Sequence, residues 1–189
     1  MVRSEEQIRA VTIGELPPRA GPIALVDYDP SWAPLFEREA ARIRGALGMR
    51  VRLLEHVGST AVVGLPAKPI IDMALAVPDS SDEPAYVPEL EREGYVLRIR
   101  EPNWFEHRMF KGPDTNIHLH VFSVDCPELE QMLLFRDWLR AHPEDRDAYA
   151  ARKRELAAKE WRFVQHYADA KTEIVQQILA KARGAKGTR

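Results

Sequence analysis

The sequence predicts an α+β protein: a mixed β-sheet of about five strands, flanked by helices and followed by a helical C-terminal third. Two observations favour this class. Between residues 51 and 123, apolar residues recur at every second position over short segments, which is typical of strands with one buried face. On both sides of that region they recur three or four positions apart, which is typical of amphipathic helices.

Composition and charge exclude several classes of protein. Hydrophobic residues make up 45% of the 189 residues and charged residues 30%, so the chain can bury a core and is not of the disordered class. A net charge of −2 excludes a globally basic surface, so nucleic-acid binding is not expected. One cysteine excludes a disulfide framework, and the longest apolar run is too short to cross a bilayer. Since the N-terminus has no apolar stretch like that of a signal peptide, we expect a soluble, cytoplasmic protein with no membrane partner.

The expected organisation is one domain between two loosely held ends. Residues 1–22 are polar and close with a cluster of proline and glycine, so we expect a flexible N-terminal arm. Residues 23–183 carry the periodic segments and form the single domain. Residues 184–189 are small and basic, so we expect a frayed tail.

The helices are placed by their start and stop residues. We expect helices over about 29–48, 88–93, 127–142, 144–159 and 161–181. The turn residues Asp29, Pro30 and Ser31 give the first helix its start signal. Pro143 separates the third helix from the fourth, because proline cannot continue a helix from inside it.

The strands follow from alternation and from turn residues. We expect strands over 51–57, 70–77, 95–100, 104–111 and 116–123, and a short strand or extended lead-in over 23–26. Gly112, Pro113 and Asp114 join the last two strands as a hairpin. The strand over 70–77 is apolar on both faces, as in a strand buried inside a sheet.

Asp72 does not fit a purely structural interpretation. It interrupts the apolar strand over 70–77, and an ionised carboxylate is costly to bury unless it is paired, hydrogen-bonded or metal-bound. Ala74 and Ala76 share its face of the strand and leave space there, which suits a cleft. The alternative is an aspartate at an exposed strand end that accepts a hydrogen bond from a loop amide.

His118 and His120 lie two positions apart on a predicted strand, so both project from the same face. Two neighbouring imidazoles can bind one metal ion or, when protonated, can hold a phosphate. The alternative is a polar, solvent-facing row beside the apolar row of Leu119 and Val121.

Other residues are candidates for binding anionic groups. The turn Gly58, Ser59, Thr60 follows a strand and its amides can face an anion, although turns also use such residues for structural reasons. Lys171 falls at the centre of the apolar face of the last predicted helix, so its ammonium either reaches solvent or enters a polar pocket. The remaining cationic candidates are Lys68, Arg108 and Lys111.

Together, the acidic, histidine and cationic candidates suit a site that binds phosphate. Asp72 with Glu55 or the two histidines could hold a divalent cation (Mg²⁺, Mn²⁺ or Zn²⁺), while amides and lysines orient a phosphate beside it. The Walker A, dinucleotide-binding, His-Glu-x-x-His and nucleophile-elbow motifs are absent from the sequence. The basic run Arg152–Arg154 is interpreted as a solvated helix face.

Several motifs resemble the GrpB family. They are the segment Glu55–Asp72, which reads EHVGSTAVVGLPAKPIID, and four shorter stretches, Val26–Trp32, His118–His120, Phe135–Glu144 and Tyr167–Lys171. The resemblance covers roughly residues 23–180 and is specific, because several motifs occur in the family's order.

The resemblance implies a nucleotidyltransferase-like fold, since the family is placed in the nucleotidyltransferase superfamily, and a similar domain is fused to dephospho-CoA kinase in some bacteria. It implies a phosphate-binding turn at Gly58 and Ser59 and a metal-binding acid at Asp72. The superfamily has a second acid two positions later, where this chain has Ala74. One acid beside two histidines suits Zn²⁺ or Mn²⁺ better than a pair of Mg²⁺ ions.

Three functions stand as hypotheses. The first is a GrpB-like protein that binds a nucleotide or other phosphorylated small molecule and catalyses nucleotidyl or phosphoryl transfer, with Asp72, His118 and His120 as catalytic groups. The second is a catalytically degenerate ligand-binding module, which Ala74 favours. The third is a metal-dependent hydrolase that uses the same three side chains.

Overall fold

The computed structural model describes residues 2–16, 18 and 21–186. Its helices are α1 (Glu5–Val11), α2 (Trp32–Leu47), α3 (Val87–Arg92), α4 (Pro127–Ala141), α5 (Pro143–Ala157), α6 (Val164–Asp169) and α7 (Thr172–Lys186). Its strands are β1 (Leu53–Val57), β2 (Ile71–Val77), β3 (Val96–Glu101), β4 (His107–Lys111) and β5 (Ile117–Ser123). Among the described residues, no helix is long and apolar enough to span a membrane.

Within the described residues, five strands form one mixed sheet in the order β1-β2-β5-β4-β3. β2 and β5 are parallel neighbours at its centre, and the other neighbouring pairs are antiparallel. The predicted hairpin is the pair β4 and β5, joined by residues 112–116. The α+β class and the mixed sheet flanked by helices are therefore confirmed.

The two faces of the sheet have different neighbours. On one face, Met73 of β2 packs in the largest core cluster with Ile43 of α2 and Leu90 of α3. On the other face, Ala76 of β2 packs in a smaller cluster that includes residues of α4. This second face opens into a cleft at Asp72, the one residue of β2 that is not fully buried.

Residues 2–16, where a flexible arm is expected, hold a capped helix and a β-bridge to the sheet. Ser4 caps α1 in a capping box, in which its side chain accepts a hydrogen bond from the Gln7 amide and the Gln7 side chain accepts one from the Ser4 amide. Ile8 on this helix is buried, and Thr12 forms a β-bridge with Ile99 of β3. The segment is short and mostly polar, so one buried isoleucine gave too little periodicity to predict a helix. Met1, Pro17, Arg19 and Ala20, which belong to the same expected arm, lie outside the described residues.

The last predicted helix is two helices. A break at Ala170 and Lys171 separates α6 from α7, and the Thr172 hydroxyl donates a hydrogen bond to the Asp169 carbonyl there. Apolar spacing continues across the break, which is why the periodicity predicted one helix. α7 continues to Lys186, so the first three residues of the expected frayed tail are helical, and residues 187–189 lie outside the described part.

The strand predicted over 104–111 begins three residues later than expected. Trp104 lies in a turn before β4, and the next two residues, Phe105 and Glu106, have positive φ angles of 54° and 50°. Side chains cannot alternate in the manner of a strand through two left-handed residues. Alternation in the sequence alone did not reveal this turn.

Candidate functional site

Asp72, His118 and His120 come together because β2 and β5 are parallel neighbours. The register places Asp72 beside His118 and Ala74 beside His120 on one sheet face. The Asp72 Oδ1 atom lies 3.6 Å from His118 Nδ1 and 3.8 Å from His120 Nε2, and one ligand atom from each residue lies within 4.8 Å of the others. Donor atoms of a tetrahedral zinc site are about 3.3 Å apart, given metal–ligand distances near 2.0–2.1 Å. A small contraction would bring these three side chains onto one metal ion.

The two histidines also determine the charge of Asp72. Burial pushes the pKa of this carboxyl upward, but hydrogen bonding and charge from His118 and His120 outweigh burial and hold the pKa below its usual range. The carboxylate is therefore ionised at neutral pH, which is the form that binds a metal ion.

A buried chain of hydrogen bonds lies behind His120. Its Nδ1 atom is 3.0 Å from His107 Nε2, and His107 Nδ1 is 2.7 Å from Glu101 Oε2. Arg3 donates to the other carboxylate oxygen of Glu101 at 2.8 Å. Burial lowers the pKa of His107 to about 4, so its imidazole is neutral at neutral pH. The strand pattern in the sequence did not indicate His107 or Glu101 as site residues. His107 lies on the same strand face as Met109, which pairs with His120.

A group of lysines lies on the other side of Asp72. Lys153 is 2% exposed, and its ammonium donates to Ser59 Oγ at 2.7 Å and to the Pro66 carbonyl. Burial and the nearby charge of Lys171 lower the pKa of Lys153 to about 6. Lys171 itself lies 4.6 Å from the centre of the Tyr167 ring, and burial lowers its pKa as well. Within this group the cations are crowded and partly dehydrated.

The predicted turn after β1 brings the lysines and Asp72 together. Gly58 has a φ of +70°, and a Cβ atom there would lie 2.5 Å from Asp72 Oδ2, so glycine is required for this close approach. Ser59 starts a short 3₁₀ turn and accepts the hydrogen bond of Lys153. Thr60 is buried, and its hydroxyl donates to the Ile70 carbonyl at 3.2 Å, so it stabilises the turn.

These residues line one cleft of about 790 Å³. Its polar residues include Ser59, Lys68, Asp72, Lys111, His118, His120, Lys153 and Lys171. Its apolar residues include Ile8, Leu16, Leu25, Ile99, Met109 and Phe163. Because α1 supplies Ile8, the segment expected to be a loose arm forms part of the wall. The cleft combines charged and apolar lining residues, as expected of a site for a small polar molecule with an organic body.

Two predicted site residues do not belong to this site. Arg108 projects from the opposite face of β4 and donates to Glu83 at 2.5 Å. It is an odd number of residues from Lys111, and such strand residues face opposite ways. Glu55 shares the correct face, but its carboxylate accepts a hydrogen bond from Arg136 of α4 at 2.7 Å and is not part of the metal-ligand cluster.

Lys153 lies in the basic run Arg152–Arg154, for which a solvated face is expected, but it is buried. The buried residues of α5 are Tyr149, Ala150, Lys153, Leu156 and Ala157. Their spacing of three and four residues is the signal that would have found it, because it places Lys153 in an otherwise apolar stripe. The charged residues on either side concealed that stripe.

Comparison with known proteins gives consistent matches over most of the chain. The family model described as GrpB protein matches residues 22–181. A UPF0157 protein of Halalkalibacterium halodurans is 61% identical over 180 residues, which are 95% of this chain and 92% of that protein. The crystal structure of the conserved protein GrpB from Enterococcus faecalis has a TM-score of 0.75 at 29% identity and covers 84% of this chain and 96% of that chain.

A further match is to one part of a longer protein. A dephospho-CoA kinase of Mycolicibacterium paratuberculosis is 34% identical over 161 residues, which cover 70% of this chain and 39% of the kinase. The sequence motifs, the sheet and these matches agree, and the chain belongs to the GrpB family.

Proposed function

We propose that the cleft binds a nucleotide or other phosphorylated small molecule together with one divalent metal ion, and transfers a phosphoryl or nucleotidyl group. One observation carries this proposal: the donor atoms of Asp72, His118 and His120 and the buried ammonium of Lys153 line the same cleft. A metal centre beside a cluster of cations suits phosphoryl transfer, because catalysis of that reaction depends on positioning the reacting groups and stabilising the negative charge on the phosphate.

The donor set favours one ion of intermediate softness. Two imidazoles and one carboxylate are ligands for Zn²⁺, and Mn²⁺ accepts the same mixture, whereas Mg²⁺ prefers oxygen. Ala74 occupies the position of the second superfamily acid, and Glu55 opposite it is bonded to Arg136. A pair of Mg²⁺ ions therefore does not fit these residues. When bound, a Zn²⁺ or Mn²⁺ ion would polarise a phosphoryl oxygen and activate a water molecule.

The lysines fit a phosphate. The partners of Lys153 are neutral oxygens, and Lys171 lies against an aromatic ring. In the part of the chain that the structure describes, neither ammonium makes an ion pair with a carboxylate. A bound phosphate would supply negative charge and favour the protonated form of both lysines. In this proposal Ser59, Lys153 and Lys171 hold the phosphate, with Lys68 and Lys111 at the wall of the cleft.

Calorimetric titration tests the anion site. The probes are pyrophosphate, ATP and dephospho-CoA, each with and without Zn²⁺ or Mn²⁺. We expect binding to weaken at least tenfold in Lys153→Met and in Lys171→Met, and to be unchanged in Lys159→Met, which removes an exposed lysine paired with Glu155. Because a bound anion raises the depressed pKa of Lys153, binding at pH 7.5 should take up protons, as measured in buffers of different ionisation enthalpy.

Equal affinity in all three variants for every probe would contradict the lysine site. Absence of binding by the unmodified protein to any of these probes would contradict the proposal as a whole.

Ala74 favours a second function, which is ligand binding without turnover. It is fully buried and leaves the site with one acid instead of two. Release of phosphate or pyrophosphate from a bound triphosphate, lost in Asp72→Asn, separates the two functions. Release establishes turnover, with the group passed to an acceptor or to water, and binding without release establishes the binding module.

A further inference from the structure

The hydrogen-bond chain behind His120 has a defined direction. Arg3 and His107 approach the two different oxygens of the Glu101 carboxylate, at 2.8 Å and 2.7 Å. A carboxylate between two such donors is an acceptor on both oxygens, so His107 Nδ1 must carry the proton of that hydrogen bond. The far end of the chain follows from this one assignment.

A neutral imidazole has one N–H group and one bare nitrogen. With its proton on Nδ1, His107 has a bare Nε2, and this atom can only accept a hydrogen bond from His120 Nδ1, 3.0 Å away. In its neutral form, His120 then carries its proton on Nδ1, which leaves its Nε2 bare. That Nε2 is the atom that faces Asp72 Oδ1 at 3.8 Å.

We propose that Glu101 and His107 are positioning residues, which fix the tautomer and the ring orientation of His120 so that its Nε2 lone pair is presented to a metal ion beside Asp72 and His118. This inference rests on the metal site of the proposed function. It adds two buried residues that contact a metal ligand and not the metal itself. Outer-layer partners of metal-bound histidines are typically worth 10–100-fold in metal affinity.

The packing around His107 supports an orienting role. Its ring is 3% exposed and lies nearly parallel to the rings of His120 and Phe122, with centroids 5.2 Å and 4.7 Å away. The residue therefore cannot turn without displacing its neighbours. His118 has no equivalent partner among the hydrogen bonds of the described residues, so the chain acts on one ligand of the three.

The tautomer can be measured in metal-free protein. Long-range ¹H–¹⁵N correlation spectra of protein with ¹⁵N-labelled histidine, recorded at pH 8, distinguish a proton on Nδ1 from a proton on Nε2. We expect His107 and His120 both to be Nδ1–H tautomers, and His120 to lose this preference in His107→Phe. An Nε2–H tautomer of His120 in the unmodified protein would overturn the inference.

Zinc affinity provides the second measurement, by competition with a chromogenic chelator. We expect His107→Phe, which keeps the ring but removes the acceptor, to bind Zn²⁺ 10–100-fold more weakly. His107→Gln can again offer an acceptor oxygen and should recover part of the affinity, and Glu101→Gln should lose less than His107→Phe. The control is His142→Phe, since His142 is also stacked on an aromatic ring, Trp138, but does not line the cleft.

The outcomes separate this inference from the proposal on which it rests. If the unmodified protein binds no Zn²⁺, the metal centre itself is refuted, and the positioning role with it. If it binds Zn²⁺ and folded His107→Phe binds it equally well, only the positioning role is refuted. The visible spectrum of the Co²⁺ form should change in His107→Phe and not in His142→Phe, which a general loss of stability would not produce. If His107→Phe does not fold by circular dichroism, the Gln variants decide: unchanged affinity in both overturns the role.

Discussion

Gly58 allows the backbone of the turn to lie directly against the carboxylate of Asp72. A Cβ atom at this position would meet Asp72 Oδ2 at 2.5 Å, and the φ of +70° is itself unfavourable for other residues. We expect Gly58→Ala to displace the carboxylate, to weaken Zn²⁺ binding at least tenfold, and to lower the free energy of unfolding by about 1–3 kcal/mol. Chelator competition and urea unfolding measure the two effects.

Gly64→Ala is the matched control for that change. Gly64 also has a positive φ, +79°, but a Cβ atom there would meet only the Arg146 side chain, at 3.8 Å. It should therefore lose stability without losing metal affinity. Parallel losses of zinc affinity in both variants would show that backbone strain, and not the contact with Asp72, is responsible.

Lys153 makes the stability of the protein depend on pH. Its pKa is about 6 in the folded protein and near 10.5 when exposed, so between these values the unfolded state binds one more proton. The free energy of unfolding then rises with pH through this residue, by up to about 1.4 kcal/mol per pH unit. We expect ligand-free Lys153→Met to be more stable than the unmodified protein at pH 7, with the difference shrinking towards pH 10. Urea unfolding across this range measures it, and a difference independent of pH would contradict a neutral buried lysine.

Single-residue periodicity was enough to find the centre of the site. Strand parity put His118 and His120 on one face, and an acid in an apolar strand marked Asp72. Alternation along one strand does not show which side of the neighbouring strand lies on the same sheet face. For this reason Arg108 was included among the site residues and His107 was not. That information lies in the pairing register of β4 with β5, which a single sequence does not encode locally.

At the scale of secondary structure, α1 is the element whose role differs most from expectation. If it is part of the cleft wall, truncating its buried isoleucine must cost stability. We expect Ile8→Ala to lower the free energy of unfolding by about 2 kcal/mol, at the lower end for such truncations because a terminal helix can adjust. Val2→Ala, which truncates an exposed side chain of the same segment, should cost under about 0.5 kcal/mol. Urea unfolding compares the two, and equal, negligible losses would restore the flexible arm.

The boundaries of helices and strands that have strong apolar periodicity and clear turn residues at their ends were predicted within a few residues. The helix over 29–48 and the strand over 70–77 correspond to α2 and β2. The break at Ala170 and Lys171 was not predicted, because α6 and α7 together continue one apolar spacing. This break is relevant to the site, since Lys171 sits in it and lines the cleft.

For the whole molecule, the decisive feature is the parallel pairing of β2 with β5. Some 40 residues, including β3 and β4, separate these two strands along the chain, yet they are neighbours at the centre of the sheet. Local patterns predict that both strands exist, but their order in the sheet depends on how the layers pack. The resemblance to the GrpB family implied a mixed sheet flanked by helices but not the order of its strands, which is why the fold class could be expected more fully than the partners of Asp72.

A metal ion held between these two strands should stabilise the whole fold, because it binds the folded state and not an unfolded chain in which the ligands are far apart. At a free Zn²⁺ concentration 100 times the dissociation constant, the gain is about 2.7 kcal/mol. For a chain of this length that corresponds to a rise in Tm of roughly 5–10 °C. We expect differential scanning calorimetry to show this rise for the unmodified protein and to show it abolished in Asp72→Asn. Asp147→Asn, which changes an exposed aspartate on α5, should retain the full shift. An equal rise in both variants would locate the bound zinc elsewhere than between β2 and β5.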